Sequence, residues 1–250
     1  MSFAVSLRSE FLKIKRTSVI YLLPAAAAVV PLVLVFDHSA PEVGSVVNGW
    51  DHFYREGFAV FMFLFFPFFY ILVSTLLLQI EVRNHAWKQV LASPQALLHV
   101  LVAKYVVMQV LAVGFVVLFN VYMVMGCVVI DLIYGLNLIT YLQRWPELLR
   151  VNLMACGSTV GISALSFWLA LRFKNFIAPI GLGLLLWLIG PTAAMELHWP
   201  HFDMYVFVLP FTILSDRFEH GALFYQILSV GYGVVFLGGA YVEFVRWRRP

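Results

Sequence analysis

Long stretches without a charged residue or a histidine dominate the pattern along this chain. Each of them has between 20 and 26 residues, and a helix needs about 20 apolar residues to cross the hydrocarbon core of a bilayer. Transmembrane β-strands would instead give short alternating segments. We therefore predict an all-α integral membrane protein whose residues 1–250 form a single transmembrane domain with six spans. The six stretches are residues 17–36, 57–80, 105–130, 151–171, 175–195 and 221–242.

Two shorter uncharged runs and the first long run need separate interpretation. Residues 132–143 and 204–215 have 12 residues each, which is too few to span, so they indicate interfacial or re-entrant segments. Pro210 favours a break in the second of them. The run 17–36 is longer than the apolar part of a signal peptide, and no small-residue cleavage pattern follows it, so we expect a retained helix.

The composition supports the membrane assignment and removes other classes of protein. Hydrophobic residues make up 62% of the 250 residues and charged residues 12%, against about 45–50% and about 25% in ordinary globular proteins. So few charges cannot cover the surface of a soluble fold. Disordered and nucleic-acid-binding proteins need more charge. We therefore expect a lipid bilayer around the chain and no nucleic acid among its partners.

The positions of lysine and arginine predict the orientation in the membrane. With the N-terminus inside, 12 of the 16 Lys and Arg residues and only 3 of the 13 acidic residues fall in cytoplasmic segments. Segments rich in Lys and Arg stay on the cytoplasmic side during insertion. We therefore predict a multi-pass protein of the inner (cytoplasmic) membrane, with both termini in the cytoplasm.

The first sixteen residues carry an amphipathic pattern. Phe3, Leu7, Phe11 and Ile14 recur at helical spacing, with charged residues between them. This pattern is typical of a basic helix that lies in the plane of the lipid headgroups. The alternative is an ordinary basic flank that only sets the topology, and we favour the interfacial helix.

The link between the second and third runs holds another short amphipathic pattern. Trp87, Val90 and Leu91 form an apolar face at positions i, i+3 and i+4. Pro94 disfavours helix at the residue before it and favours a turn. A short cytosolic helix with an aromatic residue suits docking to a soluble partner. A plain loop whose Lys and Trp anchor at the interface is an equally good interpretation of the pattern alone.

Two segments of the chain resemble a known family. With the six-span layout, the chain resembles the permease subunits of ATP-binding-cassette (ABC) exporters of the ABC-2 type, especially the small six-helix permeases of lantibiotic and bacitracin self-protection. The segments that carry the resemblance are residues 6–16 and the pattern Glu81…Trp87–Lys88…Ser93–Pro94…Lys104.

The resemblance implies a role for each cytoplasmic segment. Residues 1–16 would form an elbow helix, and residues 81–99 would contain a coupling helix that rests on the ATPase. A short re-entrant region would lie between the fifth and sixth spans. The residues that the resemblance assigns to coupling with the ATPase are Glu81, Arg83, Trp87, Lys88 and Pro94.

The energy source has to come from another chain. A P-loop needs Gly-x-x-x-x-Gly-Lys-Ser/Thr to cradle phosphates, and no glycine in this sequence is followed by lysine. We therefore expect no cofactor bound by this chain, with ATP and Mg on a partner ABC ATPase subunit. The resemblance also implies a second permease subunit, identical or related, so that this chain is half of a dimeric membrane part.

One segment after the fifth run could hold a metal ion. His198, His201 and Asp203 lie within six residues of one another, and such groups bind zinc or copper. No fourth ligand is obvious, and Pro200 leaves the geometry open. An interfacial loop without metal is the favoured interpretation.

The fourth run contains a short glycine motif. Gly157 and Gly161 are four residues apart, which lets two membrane helices approach closely. A serine-hydrolase elbow needs Gly-x-Ser-x-Gly, and Ser158 follows the first glycine directly, so we expect helix packing. Cys127 and Cys156 have no disulfide framework around them, and two free buried thiols are favoured over a disulfide.

These observations lead to one expected function and two rivals. The expected function is a permease that couples ATP hydrolysis on a separate subunit to export of a hydrophobic or amphipathic substrate, such as a peptide antibiotic or a lipid-like molecule. The rivals are a membrane enzyme with an outer His/Asp site and a non-transporting mechanotransmission subunit. Seven phenylalanines of the second span would line the path or, as the favoured alternative, face lipid: Phe58, Phe61, Phe63, Phe65, Phe66, Phe68 and Phe69.

Overall fold

The fold is all-helical over the residues that the structure describes, which confirms the predicted all-α membrane class. The structure is a computed structural model. It describes residues 3–15, 17–37, 49–83, 97–134, 145–173, 175–196, 199–212 and 221–246.

The described helices follow the order of the predicted spans, with short additions. A π-helical turn (Phe61–Phe65) interrupts the helix of the second span, and a 3₁₀ turn (Phe202–Met204) precedes the short helix Leu209–Thr212. The helices are α1 (Phe3–Ile14), α2 (Val19–Asp37), α3 (Gly49–Val60), α4 (Phe66–Arg83), α5 (Leu97–Tyr134), α6 (Trp145–Ser158), α7 (Val160–Arg172), α8 (Ile177–Met195), α9 (Leu209–Thr212) and α10 (Ala222–Arg246).

Five helical stretches among the described residues are long and apolar enough to cross a membrane. The fifth predicted span, α8, is a shorter case: its apolar part is Ile177–Ala193. The whole of α8 has 19 residues, which gives a length of about 28 Å, close to the thickness of the hydrocarbon core. The five longer stretches are Val19–Phe36, Phe53–Glu81, Leu98–Ile133, Trp145–Arg172 and Ala222–Arg246.

Several helices run beyond the uncharged stretches of the sequence. The helix α5 has 38 residues, or about 57 Å, and continues through Lys104 and Asp131. The helix that leads into the second span, α3, begins at Gly49, before residue 57, and Arg55 and Glu56 lie on its exposed side. A charge therefore ends the lipid-embedded part of a helix without ending the helix itself.

The phenylalanines of the second span form much of the core. Phe58, Phe61 and Phe66 are fully buried, and the ring of Phe61 stacks 4.0 Å from that of Phe119 and lies 4.8 Å from that of Phe115 on α5. Both interpretations offered from the sequence, a lined path and a lipid-facing surface, are therefore wrong for these side chains. The π-helical turn and α4 carry Phe61 and Phe66, and both of these rings contact Phe115 on α5.

The helical span Trp145–Arg172 has a local irregularity at one residue. Thr159 is a turn residue between α6 and α7, within the predicted run 151–171. The hydroxyls of Ser158 and Thr159 donate to the carbonyls of Ala155 and Cys156, at 2.7 and 2.8 Å. Such back-bonding competes with the helical ladder and bends membrane helices.

The packing of the helices places α1 against the bundle. The helix α1 lies on α5, α2 packs along α5, and α7 packs between α4 and α10. The N-terminal part of α5 and the C-terminal end of α4 meet beneath α1. This junction is where the chain brings its buried charges together.

Candidate functional site

Four charged side chains meet where α1, α4 and α5 come together, and we call them the ion cluster. Lys104 Nζ donates to Glu81 Oε1 at 2.6 Å and to Glu10 Oε2 at 2.8 Å. Lys13 Nζ lies 2.8 Å from Glu81 Oε1 and also contacts Glu10. Lys104, Glu81 and Glu10 are only 3%, 1% and 8% exposed. The cluster thus ties three helices that are far apart in sequence.

The positions of these charges follow from the pattern of each helix. Ser6, Glu10 and Ile14 are the buried residues of α1, and their spacing of four puts them on one face. Glu81 lies near the end of α4, and Lys104 lies two turns into α5, between the buried Ala103 and Val107. Glu10, Glu81 and Lys104 therefore occupy the buried faces of their helices, and Lys13 is half-buried beside them.

The ion cluster balances two positive charges against two negative charges. Buried charges are tolerated when they are paired in this way. Burial by itself lowers the pKa of Lys13, but Glu81 and Glu10 outweigh it through their charges and hydrogen bonds, so that the pKa is raised above its usual value. Lys13 therefore stays charged. Glu81 Oε2 is buried and accepts no hydrogen bond from the described residues.

The structure describes only part of the predicted coupling set. Glu81 is buried in the ion cluster, and Arg83 is the last residue of α4. Trp87, Lys88 and Pro94 lie outside the described residues. The helices on either side of the link are described, and the Glu81–Lys104 contact joins them. Glu81 is thus buried in the bundle and holds together the two helices that flank the link.

The sequence did not single out Glu10 and Lys13 as partners of Glu81. The available signal is that Glu10 falls on the same face of α1 as Ser6 and Ile14, where a surface helix normally places apolar residues. A carboxylate on that face predicts a buried cationic partner. The spacing on α1 points to Lys13, three residues further on, but gives no sign of Lys104, which is 94 residues away.

A layer of uncharged polar side chains lies further along α5. The amide of Gln109 donates to the hydroxyl oxygens of Tyr105 and Ser163 at 2.7 and 2.9 Å. Tyr70 donates to Gln109 Oε1 at 3.0 Å. These bonds connect α4, α5 and α7. Because lipid offers no hydrogen bonds, such groups must satisfy one another inside the bundle.

A second polar layer lies about three turns further along α5, and it joins α3, α5 and α6. Asn120 Nδ2 donates to Asn152 Oδ1 at 2.9 Å, and Tyr54 donates to Asn120 Oδ1 at 2.8 Å. Asn152 Nδ2 lies 2.8 Å from the Tyr54 oxygen. The three side chains close a ring of hydrogen bonds. The second and third spans are therefore connected at three levels, beginning with the ion cluster, and the two polar layers also connect them to the fourth span.

Removing Asn152 should weaken this outer polar layer. The variant Asn152→Leu leaves Asn120 and Tyr54 without a shared partner in a place where water is scarce, so we expect a loss of about 1–3 kcal/mol of unfolding free energy. The measurement is denaturant or thermal unfolding of the purified protein in detergent. The control Leu153→Ala, at an exposed position on the same helix, should change stability by less than about 0.5 kcal/mol. Equal losses in both variants would contradict the role given to the layer.

A comparison with protein families decides the family of this chain. A family model described as "ABC-2 family transporter protein" matches residues 6–190. The chain belongs to this family. The match begins within α1 and ends within α8, so it includes all four residues of the ion cluster and both polar layers. No curated protein matches the chain.

Membership in the ABC-2 family fixes the general function. The ABC-2 permease is a membrane subunit of an ABC transporter, and the family implies an ABC ATPase as partner and no ATPase site in the permease itself. The described helices that can span a membrane make it a multi-pass membrane protein.

The candidate metal ligands of the ABC-2 permease are not brought together among the described residues. Asp203 is buried in the 3₁₀ turn, where Asp203 Oδ2 accepts a hydrogen bond of 2.7 Å from Tyr225 on α10. His201 is exposed, and His198 lies outside the described residues. The part of the chain that the structure describes contains no group of three or more His, Cys, Asp or Glu side chains able to hold a metal ion. Asp203 instead fastens the loop to α10.

The two glycines of the fourth span have different surroundings in the ABC-2 permease. A Cβ atom at Gly161 would lie 3.0 Å from Val206 and 3.2 Å from the carbonyl oxygen of Ser229. The amide of Gly161 also donates to Ser229 Oγ at 2.9 Å. At Gly157 the nearest atoms belong to Gln226 at 3.6 Å, an ordinary contact. The close approach of α7 and α10 therefore depends on Gly161.

Both cysteines of the ABC-2 permease are free. Cys127 is buried in α5, and Cys156 is half-buried in α6. Both therefore carry reduced thiols within helix-packing surfaces, as the spacing in the sequence favoured.

Proposed function

We propose that this ABC-2 permease is driven by a separate ABC ATPase that docks on the link between α4 and α5 and that it exports a hydrophobic or amphipathic substrate. One observation supports the coupling route above all others: the Glu81–Lys104 ion pair of 2.6 Å joins the two helices that flank the link. The two helices at the ends of the link assigned to docking are therefore held together by this ion pair.

The ion cluster gives a physical route from the link to the bundle. Because Glu81 and Lys104 are buried and paired, a force on the link cannot be absorbed by separating α4 from α5 without exposing unpaired charges. Glu10 and Lys13 extend the same network to α1. A displacement of the link would therefore move α1, α4 and α5 as one body.

The two polar layers extend this coupled body into the fourth span. Tyr70, Gln109 and Ser163 connect α4 and α5 to α7, and Asn152 connects α6 to α3 and α5. Packed elements with two arrangements carry motion between distant sites. We propose that a second permease subunit, identical or related, supplies the other half and that the two halves rock against each other.

The orientation belongs to the same proposal. We propose that the ion cluster and both termini lie on the cytoplasmic side of the inner membrane, where an ATPase can reach the link, and the Lys and Arg distribution supports this orientation. The apolar character of the spans supports a hydrophobic or amphipathic substrate, since no membrane-spanning stretch among the described residues carries an acidic or basic side chain at its centre.

The substitution Trp87→Ala tests the docking role. A tryptophan at the centre of a docking surface typically contributes about 2 kcal/mol or more, so we expect co-purification of the ABC ATPase to weaken about thirtyfold and permease-stimulated ATP hydrolysis to fall with it. The measurement is ATP turnover and subunit stoichiometry of the complex isolated from cells that express both subunits.

The matched control is Trp145→Ala, an exposed tryptophan at the start of α6. It should leave both the association and the ATP turnover unchanged. Unchanged coupling in Trp87→Ala would refute the docking role, and so would labelling of a Trp87→Cys thiol by a membrane-impermeant reagent added only from outside intact cells.

A further inference from the structure

An apolar cavity lies at the end of the second span that is far from the ion cluster. Its volume is about 340 Å³, at the lower end of the range for ligand pockets. Ala59 and Val60 lie 21 residues or more before Glu81 in the span, some 30 Å along the helix axis. The lining residues among those described are Ala59, Val60, Phe63, Gly190, Pro191, Phe202, Val208 and Phe211.

The cavity lies between the second span at its π-helical turn, the helix α8 and the segment before α9. The π-helical turn displaces Phe63, whose carbonyl accepts a hydrogen bond of 2.8 Å from the indole of Trp187 on α8. A Cβ atom at Gly190 would lie 3.0 Å from Val208, so glycine allows the segment before α9 to approach α8 closely. The walls are thus held by specific contacts of all three segments.

The apolar lining of the cavity favours a hydrocarbon ligand. All the described residues that line it are apolar, and a cavity without polar partners does not hold ordered water. Val60 both lines the cavity and is 46% exposed, so the cavity opens on the outer surface of the spanning helices. In a membrane the medium next to that surface is the hydrocarbon of the lipid chains.

We infer that this cavity binds one acyl chain of a membrane phospholipid, with the chain entering past Val60 and the ring of Phe63 forming the inner wall. The bilayer supplies such chains at high local concentration, and the apolar walls recover contacts that an empty cavity lacks. Phe63 is fixed by ring contacts with Trp187 and Phe211 at 5.4 and 5.9 Å. The site is a property of the permease alone and does not depend on the proposed ATPase docking.

Photo-crosslinking of the full-length permease tests the site. The protein is reconstituted in nanodiscs that contain a phosphatidylcholine with a diazirine in the middle of one acyl chain, illuminated, and mapped by peptide mass spectrometry. We expect adducts concentrated on the peptides with residues 59–63 and 208–211.

Filling the cavity provides the decisive variant. Ala59→Phe should lower the adducts on these peptides about tenfold, with Ala59→Leu as a smaller substitution if the first unfolds. The control Val33→Phe, on the exposed face of α2 at the level of Gly57, should leave them unchanged. Adducts no more frequent than on the α2 face and insensitive to Ala59→Phe would overturn the inference. So would Val60→Cys forming disulfide-linked dimers without lipid adducts, since a second copy would then cover the opening.

Discussion

Lys104→Met is expected to cause the largest loss of stability of any single substitution at the ion cluster. Methionine keeps much of the length of the side chain but leaves the buried Glu81 and Glu10 with Lys13 as their remaining cation. Breaking a buried ion pair by removing one partner costs about 3–5 kcal/mol, because the other charge stays in a medium of low polarity. The measurement is the unfolding free energy of the purified permease in detergent.

A double variant separates charge pairing from the loss of packing. Glu81→Met combined with Lys104→Met removes one anion and one cation and leaves Glu10 with Lys13. We expect the double variant to recover at least about half of the loss, since replacing both members of a buried pair is often neutral. A double variant as unstable as the sum of the two single variants would show that the cluster does not act as a pair.

An exposed lysine just after α1 supplies the control. Lys15 follows α1 and is exposed, so Lys15→Met should change stability by less than about 0.5 kcal/mol. A loss in Lys15→Met as large as in Lys104→Met would mean that net charge, rather than the buried contacts, determines the effect.

Gly161→Leu is expected to produce the second large effect. The new side chain would begin 3.0 Å from Val206 and 3.1 Å from the Cβ atom of Tyr232. It would push α10 away from α7 and so break the hydrogen bond that the Gly161 amide donates to Ser229. Overpacking costs about 1–3 kcal/mol, and the lost buried hydrogen bond adds about 1 kcal/mol. Thermal unfolding in detergent measures the loss.

The other glycine of the motif makes a matched comparison. Gly157→Ala meets Gln226 at an ordinary distance of 3.6 Å, and alanine favours helix over glycine by about 0.5–1 kcal/mol. We therefore expect Gly157→Ala to be neutral or stabilising, whereas Gly161→Ala should destabilise. Equal effects of alanine at both positions would contradict the assignment of the close helix contact to Gly161.

The positions of the helices were largely predictable from the sequence, and their ends were not. The uncharged run 105–130 lies inside α5, but α5 extends from Leu97 to Tyr134. A search for uncharged runs stops at Lys104, although a buried lysine with two carboxylate partners continues the helix without a break. The same limit explains why the predicted second span begins at residue 57 and the helix at Gly49.

The irregular backbone could not be predicted from periodicity. The π-helical turn at Phe61–Phe65 and the turn at Thr159 both lie within uninterrupted apolar sequence. Their stabilising contacts come from elsewhere in the chain: Trp187 donates to the Phe63 carbonyl, and Tyr70 lies 3.4 Å from the Thr159 hydroxyl. The residues around each turn do not indicate such distant partners.

The sequence by itself determined that this protein lies in a lipid bilayer and how many helices it can place there. Long uncharged runs admit only helices in lipid, since every backbone polar group must be satisfied within its own segment. Only the tertiary structure decided where Glu10, Lys13, Glu81 and Lys104 meet, because buried charges gain from whichever opposite charge the packing brings near. That choice depends on the approach of three helices in space, and spacing along the chain does not encode it.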